Sequence, residues 1–573
     1  MAERSFTIGL DFGTGSVRAV VVDCANGRVL GTSVFDFPTG VGGVIVDAHD
    51  PHLARQNPAD YLAGMTATVP KALAAAAALD QGFMNSRVIG IGTDTTGSTP
   101  IPVDARMQAL ALDPKWTPNP AAHAWLWKDH TGADEAAAIT AIAGEFAPEY
   151  LAVIGGTYSS EWFWSKIWRC LKVAPDVFAA ADSWVELADY IPGVLAGVQS
   201  PAEIRRGVCA AGHKAMYSPD WGGLPSEEFL TRLDPKLAAL RSRLYDQAWS
   251  SDRPAGTLSA EWAAAFGLPE GIPIAMGAFD AHYGAVGAGV TTGTLVKIIG
   301  TSTCDIAIAP ATVAAPNVPG ICGTVNGSVM PGYYGVEAGQ SAVGDLLRWW
   351  VEVVCAGDEA MHAALSADAT RLAPGQSGLV ALDWNNGNRT ILVDPRLTGL
   401  IIGQTLHTTR AEIYRALIEA TAFGARAIIE RLNANGVRVE RVVSCGGIAE
   451  KNPLFMQIYA DVLGYPMLLA GSSQTPALGA SIAAAVAAGS KAGGYDDFES
   501  AQGQMTRLAD TRYLPNPDAR AVYDELYGLY RELHDTFGGM AGAHADLPTL
   551  MKRLLTIRER VTGRERATGD HSS

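Results

Sequence analysis

Two short stretches, one at the head of each half of the chain, fix most of what this sequence can fold into. The first, residues 6–24 (FTIGLDFGTGSVRAVVVDC), reads as a strand, a Gly-Thr-Gly turn and a second strand. Alternating apolar and β-branched residues favour strands, and Gly13 and Gly15 are expected to supply the φ > 0 of a tight turn. Residues 295–308 (LVKIIGTSTCDIAI) repeat the pattern, with Gly300, Thr301 and Ser302 in the turn. In the first copy Asp11 stands at the mouth of the turn, beside the backbone N–H groups of 13–16 and the hydroxyls of Thr14 and Ser16. A carboxylate next to a cluster of donors suits a magnesium-bound polyphosphate: donors hold phosphate oxygens and the carboxylate holds the cation. One copy alone is as readily an ordinary hairpin. Two copies predict a duplicated α/β domain with a nucleotide between the halves.

Other nucleotide folds fit poorly. The chain has no GxxxxGK[ST] loop, and Gly287-Ala288-Gly289 lies in an Ala/Gly-rich helical stretch with no strand before it. A length of 573 residues allows two to four domains. A formal charge of −16 leaves no basic face for nucleic acid or an anionic membrane, whereas a nucleotide needs only a local nest of donors. Seven scattered cysteines, with no CxxC pair, point to a reduced, cytoplasmic setting without structural zinc. The N-terminus enters a strand with no secretory pattern, and the longest apolar stretch, 477–489, is too short for a bilayer.

Along the chain, Asn26-Gly27 predicts a type I′ turn into a third strand, 28–34. Pro58–Leu79 reads as an Ala-rich helix. A short buried strand, 88–92, then ends in a polar cluster, TDTTGST at 93–99, which contains Thr96. Ligands of α/β sheets bind at such strand ends. Tryptophan-rich segments follow at 125–130 and 158–168. Most of these rings are expected in the core, with at least one lining a ligand pocket, because aromatic faces stack on the C–H faces of sugars. Lys214 is placed in a small-residue loop (CAAGHKAM, 209–216), and Asp280 at the start of a helix, as a cap or as a carboxylate favoured by the dipole. In the second half Glu337 is placed in a Gly/Ala loop, and 410–432 is a strong amphipathic helix. A strand at 437–443 then enters SCGGIAEKN, 444–452. Its Gly446 and Gly447 would let the backbone approach a flat adenosine, or simply make a tight β–α connection. The helix at 477–489 has no bulk and suits close packing beside such a site. The charged tail, 546–573, is expected to fray.

Taken together, these segments resemble the FGGY carbohydrate kinases of the actin–hexokinase–Hsp70 superfamily. The similarity runs from about residue 6 to about residue 530. Segments that carry it include 9–22, 92–104, 126–131, 158–167, 210–216, 279–289, 296–305, 337–342 and 444–461. The resemblance implies two actin-like (ribonuclease H-like) α/β domains, 1–289 and 290–545, with a deep cleft that closes on sugar and ATP. By the same resemblance Asp280 is the base that takes the proton of the sugar hydroxyl, and Asp11 is linked to Mg2+. Gly13, Thr14, Ser16, Gly300 and Thr301 belong to phosphate hairpins, and Gly446, Gly447 and Asn452 to an adenosine loop. Thr96, Trp127, Lys214 and Glu337, with Asp280, match sugar-binding positions, and the implied substrate is L-ribulose. A homodimer is compatible with this reading. Two alternatives stand beside it: a kinase for D-ribulose, D-xylulose or glycerol on the same fold, and a non-catalytic ATP-binding regulator.

Overall fold

The duplication is visible strand by strand in the computed structural model, which describes residues 4–563. In the first half, β1 (Phe6–Phe12), β2 (Ser16–Asp23) and β3 (Val29–Asp36) form an antiparallel meander. β4 (Val88–Thr95) lies parallel to β1. β5 (Pro254–Thr257) closes the edge antiparallel to β6 (Pro273–Ala275), which itself runs parallel to β4. In the second half β7 (Thr294–Ile299) and β8 (Thr303–Pro310) form the equivalent hairpin. β9 (Gly323–Asn326) adds an outer strand to β10 (Tyr333–Ala338), which completes that meander. β11 (Arg441–Cys445) and β12 (Met467–Ala470) follow in parallel, with β13 (Leu508–Tyr513) antiparallel at the edge. The orders β3-β2-β1-β4-β6-β5 and β10-β8-β7-β11-β12-β13 match position by position and direction by direction. Both Gly-Thr hairpins therefore sit at equivalent ends of equivalent sheets.

The central strands are apolar because helices cover both faces. Ile8, Leu10 and Phe12 of β1 are fully buried. The helix Pro58–Leu79 starts where Asn57 accepts the Ala59 N–H and Pro58 takes the first turn. Its length and composition would allow it to cross a bilayer, but Tyr61, Met65, Val69, Leu73 and Ala76 lie in the first-half core. The bulk-free helix is Thr475–Ala488, and its place differs from expectation: it lies across β1 and β4 of the first sheet and against the helix Asp280–Gly287. Glycines permit this. A Cβ on Gly9 would stand 1.9 Å from the Ala477 carbonyl oxygen, and one on Gly92 1.9 Å from that of Ala480. The second half thus clamps the first through backbone-to-backbone contact.

Three local expectations are corrected. At Asn26-Gly27 only Gly27 has positive φ, and Asp23 donates its N–H to Arg28 across a four-residue loop, so the turn is not type I′. Gly13, Gly15 and Gly300 do not have positive φ. Gly15 is instead required by closeness, its Cβ position being 2.9 Å from the Gly42 carbonyl oxygen. The tail is not frayed over Leu547–Val561, which is a helix with Leu550, Leu554 and Ile557 buried in the second-half core. Arg553 and Arg560 pair with Glu532 and Glu525 to hold it. Residues 564–573 lie outside the described residues.

Candidate active site

Three carboxyls converge at the ends of the first-half strands. The parallel register of β1 and β4 sets Asp11 beside Asp94, and Asp94 beside Ala278, two residues before Asp280. The strand runs on to Thr95 rather than ending at residue 92, which puts Asp94 inside it and not in a polar cluster beyond its end. Asp94 has no solvent exposure, and neither oxygen has a donor among the described residues. Burial, then the Asp11 and Asp280 carboxyls, push Asp94 far above the usual carboxylate range. Burial also raises Asp11, against the pull of Arg18, whose guanidinium stands 3.6 Å away. Asp280 is the first residue of its helix, but the cap position is Phe279, and among the described residues the Asp280 carboxylate accepts only the neighbouring Ala281 N–H, at 2.7 Å. Burial and Asp11 push Asp280 up to about 7. Packed together, such groups need a shared proton or a cation.

The first hairpin is braced from below. Gln56 donates to the carbonyls of Gly13 (3.1 Å) and Thr14 (2.7 Å), and Tyr61 in turn donates to Gln56. The Gly13 N–H is consumed within the turn by Ser16, as the Gly300 N–H is by Ser302 in the second hairpin. The N–H groups of Thr14 and Gly15 have no acceptor among the described residues. In the second hairpin the Gly300 and Thr301 carbonyls accept from residues 343–345, which turns them away from the open side.

Lys214 and Glu337 meet across the two halves, the ammonium lying 2.9 and 3.0 Å from the two carboxylate oxygens. The sequence alone places both in loops. Lys214 is in the helix Val208–Ala215, where Gly212 makes room for Val325, and Glu337 is in β10. Burial opposes both charges, yet each partner more than offsets it: Lys214 stays above its ordinary value and Glu337 well below. Trp127 donates its Nε1–H to the Thr14 hydroxyl at 3.1 Å, and the centroid of the Trp162 ring lies 5.3 Å from the Lys214 ammonium, whereas Trp125, Trp164 and Trp168 are buried. Thr96 donates its N–H to Phe12 and shares a hydroxyl hydrogen bond with Thr99. The buried Lys166 ammonium donates to the carbonyls of Ser98, Trp125 and Leu126, tying the Thr96 loop to the Trp127 segment. From the other side Glu186 accepts from the Ser98 hydroxyl and the Thr99 N–H. Neither Lys166 nor Glu186 was legible as a site residue, because nothing in sequence shows what a buried charge reaches.

In the second half Gly446 has φ of 98°, and a Cβ there would stand 2.4 Å from the Ile299 carbonyl oxygen. Gly447 starts the helix Gly447–Lys451, and a Cβ there would meet only open space. Asn452 has a capping role, accepting the Phe455 N–H for the helix Pro453–Leu463.

Two family models match this chain: the N-terminal domain of the FGGY family of carbohydrate kinases over residues 6–287, and its C-terminal domain over 295–488. The chain is an FGGY carbohydrate kinase. It is 42% identical over 562 residues to a ribulokinase of Vibrio parahaemolyticus, covering 94% of this chain and 97% of that one. A ribulokinase of Mycolicibacterium smegmatis is 39% identical over 576 residues, covering 98% of each. Among solved structures, the xylulose kinase of Rhodospirillum rubrum aligns with a TM-score of 0.74 at 25% identity, covering 92% of this chain and 99% of that one. The Plasmodium falciparum glycerol kinase with ADP aligns at 0.73 with 15% identity, covering 92% and 98%, and so speaks for the fold alone. These likenesses carry the two-domain, actin-like α/β architecture and the enzyme class.

Proposed function

We propose that this kinase transfers the γ-phosphoryl group of ATP to L-ribulose, giving L-ribulose 5-phosphate in L-arabinose breakdown in the cytoplasm. The observation that carries the chemistry is Asp280, a carboxylate raised to about 7 and neighbouring the Lys214–Glu337 pair. Lys214 and Glu337 offer a donor and an acceptor for sugar oxygens, with Trp127 and Thr96 completing the walls. Asp280 receives the hydroxyl proton as the oxygen bonds to phosphorus. An acceptor titrating near neutral pH suits that task, since a substantial fraction is deprotonated and that form is basic enough to take the proton. The transition state is loose, so alignment and charge neutralisation do most of the work. The Thr14 and Gly15 N–H groups and the Gly300–Thr301 hairpin face the phosphates.

A magnesium ion fits the residues present. The donor-less oxygens of buried Asp94, beside Asp11, form a hard, anionic oxygen set of the kind that cation prefers. When bound, Mg2+ would neutralise charge on the transferring and leaving phosphates. Asp11 and Asp94 would hold it.

The test is ADP release with L-ribulose, D-ribulose, D-xylulose and glycerol. L-Ribulose should give the highest kcat/KM; a higher value for glycerol or D-xylulose would replace the substrate assignment.

The adenosine placement has its own test. Gly447→Val fills open space without straining the backbone, so the protein should fold normally while ATP binding weakens by about tenfold or more, roughly 1.4 kcal/mol. Sugar affinity should stay unchanged. Equal ATP affinity in mutant and wild type would return 446–452 to a plain β–α connection.

A further inference from the structure

We infer that His213, His282 and Glu337, the last of them a residue of the proposed sugar site, form a binding site for a borderline divalent metal such as zinc. One ligand atom from each lies within 4.8 Å of the others. His213 Nδ1 is 3.4 Å and His282 Nε2 3.9 Å from Glu337 Oε2, and the two rings are 4.7 Å apart between centroids. Both histidines are buried, at 0% and 1% exposure. His213 Nδ1 and both nitrogens of His282 have no hydrogen-bond partner among the described residues. Burying three polar nitrogens without partners is costly, and an incoming ligand would relieve it.

The donor chemistry selects the metal. An imidazole ligates through a ring-nitrogen lone pair, and three of the four ring nitrogens here have no hydrogen-bond partner among the described residues. His213 Nε2 is held 3.0 Å from the Ser328 hydroxyl, which fixes the ring and leaves Nδ1 free to ligate. Two imidazoles, one carboxylate and an open fourth position are a zinc donor set. Magnesium, which wants octahedral oxygen ligands, should ignore it.

Lys214 sets the cost of entry. Its ammonium spans both Glu337 oxygens, so a divalent cation arriving at that carboxylate is repelled by it and competes with it for the same oxygens. Zinc bonds are about 2.0–2.2 Å long, so the three side chains must draw together as Lys214 swings off. If Lys214 and Glu337 anchor the sugar, zinc and sugar exclude each other; this consequence rests on the function proposed above.

The experiment is calorimetric titration of zinc chloride into the magnesium-loaded enzyme, without ATP because its phosphates also bind zinc. Wild type is compared with His213→Asn and His282→Gln, with thermal melts as folding controls. One zinc per chain should bind, and each variant should weaken it by more than roughly 100-fold, since even outer partners of a ligand account for 10–100-fold. Cobalt substitution in wild type gives a reading that needs no variant: a ligand-field spectrum of nitrogen–oxygen coordination supports the site. Zinc affinity unchanged in a folded variant, or a cobalt spectrum of the aquo ion alone, overturns it. Saturating L-ribulose should abolish the zinc signal. Histidine-dependent binding that persists in L-ribulose would uphold the metal site and overturn the sugar placement instead.

Discussion

Asp280→Asn should leave a folded protein whose kcat for L-ribulose phosphorylation is lower by roughly 10²–10⁴-fold, the contribution typical of a positioned base. The amide can still hydrogen-bond the attacking hydroxyl but cannot accept its proton, so sugar affinity should change less than turnover. Phe279, not Asp280, holds the cap position, and an Asn side-chain oxygen can still accept the first-turn Ala281 N–H, so the substitution should leave the helix start intact. Stability should move in the opposite direction. The folded-state value of Asp280 is raised from 3.8 to about 7, so its protonated form is favoured by folding. That contribution is present at low pH and is lost as pH rises through about 7. Without magnesium, the variant should therefore melt at or above wild type at pH 8, with the difference shrinking towards pH 5. A folded variant with near-normal turnover would end the assignment of Asp280 as base.

What could be read in advance was whatever depends on local backbone chemistry. The repeated Gly-Thr hairpins announced the duplicated sheets because a strand–turn–strand unit is written in contiguous residues. Asp280, Lys214 and Glu337 were singled out by the family resemblance, and the meeting of Lys214 with Glu337 across the two halves had no trace in the sequence. Secondary structure around the sugar residues was harder. Gly212 weakens the helical pattern of 208–215, and only the approach of Val325 explains it. Glu337 sits in a strand whose glycine and alanine neighbours pack against partners from elsewhere in the chain. The last helix did leave a trace, since Leu550, Leu554 and Ile557 recur at helical spacing. Composition drew attention to their charged neighbours instead. Asp94, His213, His282 and Lys166 stayed silent for a common reason: their meaning lies in contacts between elements distant in sequence.

Asp94→Asn separates two states of one carboxyl. In the metal-free protein, burial and the neighbouring Asp11 and Asp280 keep Asp94 protonated, and Asn nearly matches the shape and hydrogen-bonding of that form. Melting at pH 7 without magnesium should therefore change little. Cation binding demands the ionised form, so it must expel the proton. Two readouts should fall together in the variant. The affinity for magnesium in the presence of ADP should drop by about 10–100-fold, the range typical of partners around a metal. Proton release on binding, from calorimetry in buffers of different ionisation enthalpy, should fall by the share of Asp94, leaving what Asp11 and Asp280 release. Raising magnesium should recover much of the lost turnover, unlike in Asp280→Asn, where no cation replaces a missing base. Wild-type magnesium affinity and proton release in Asp94→Asn would leave Asp11 as the only carboxylate on the cation. Asp94 would then be a neutral acid whose proton serves packing alone.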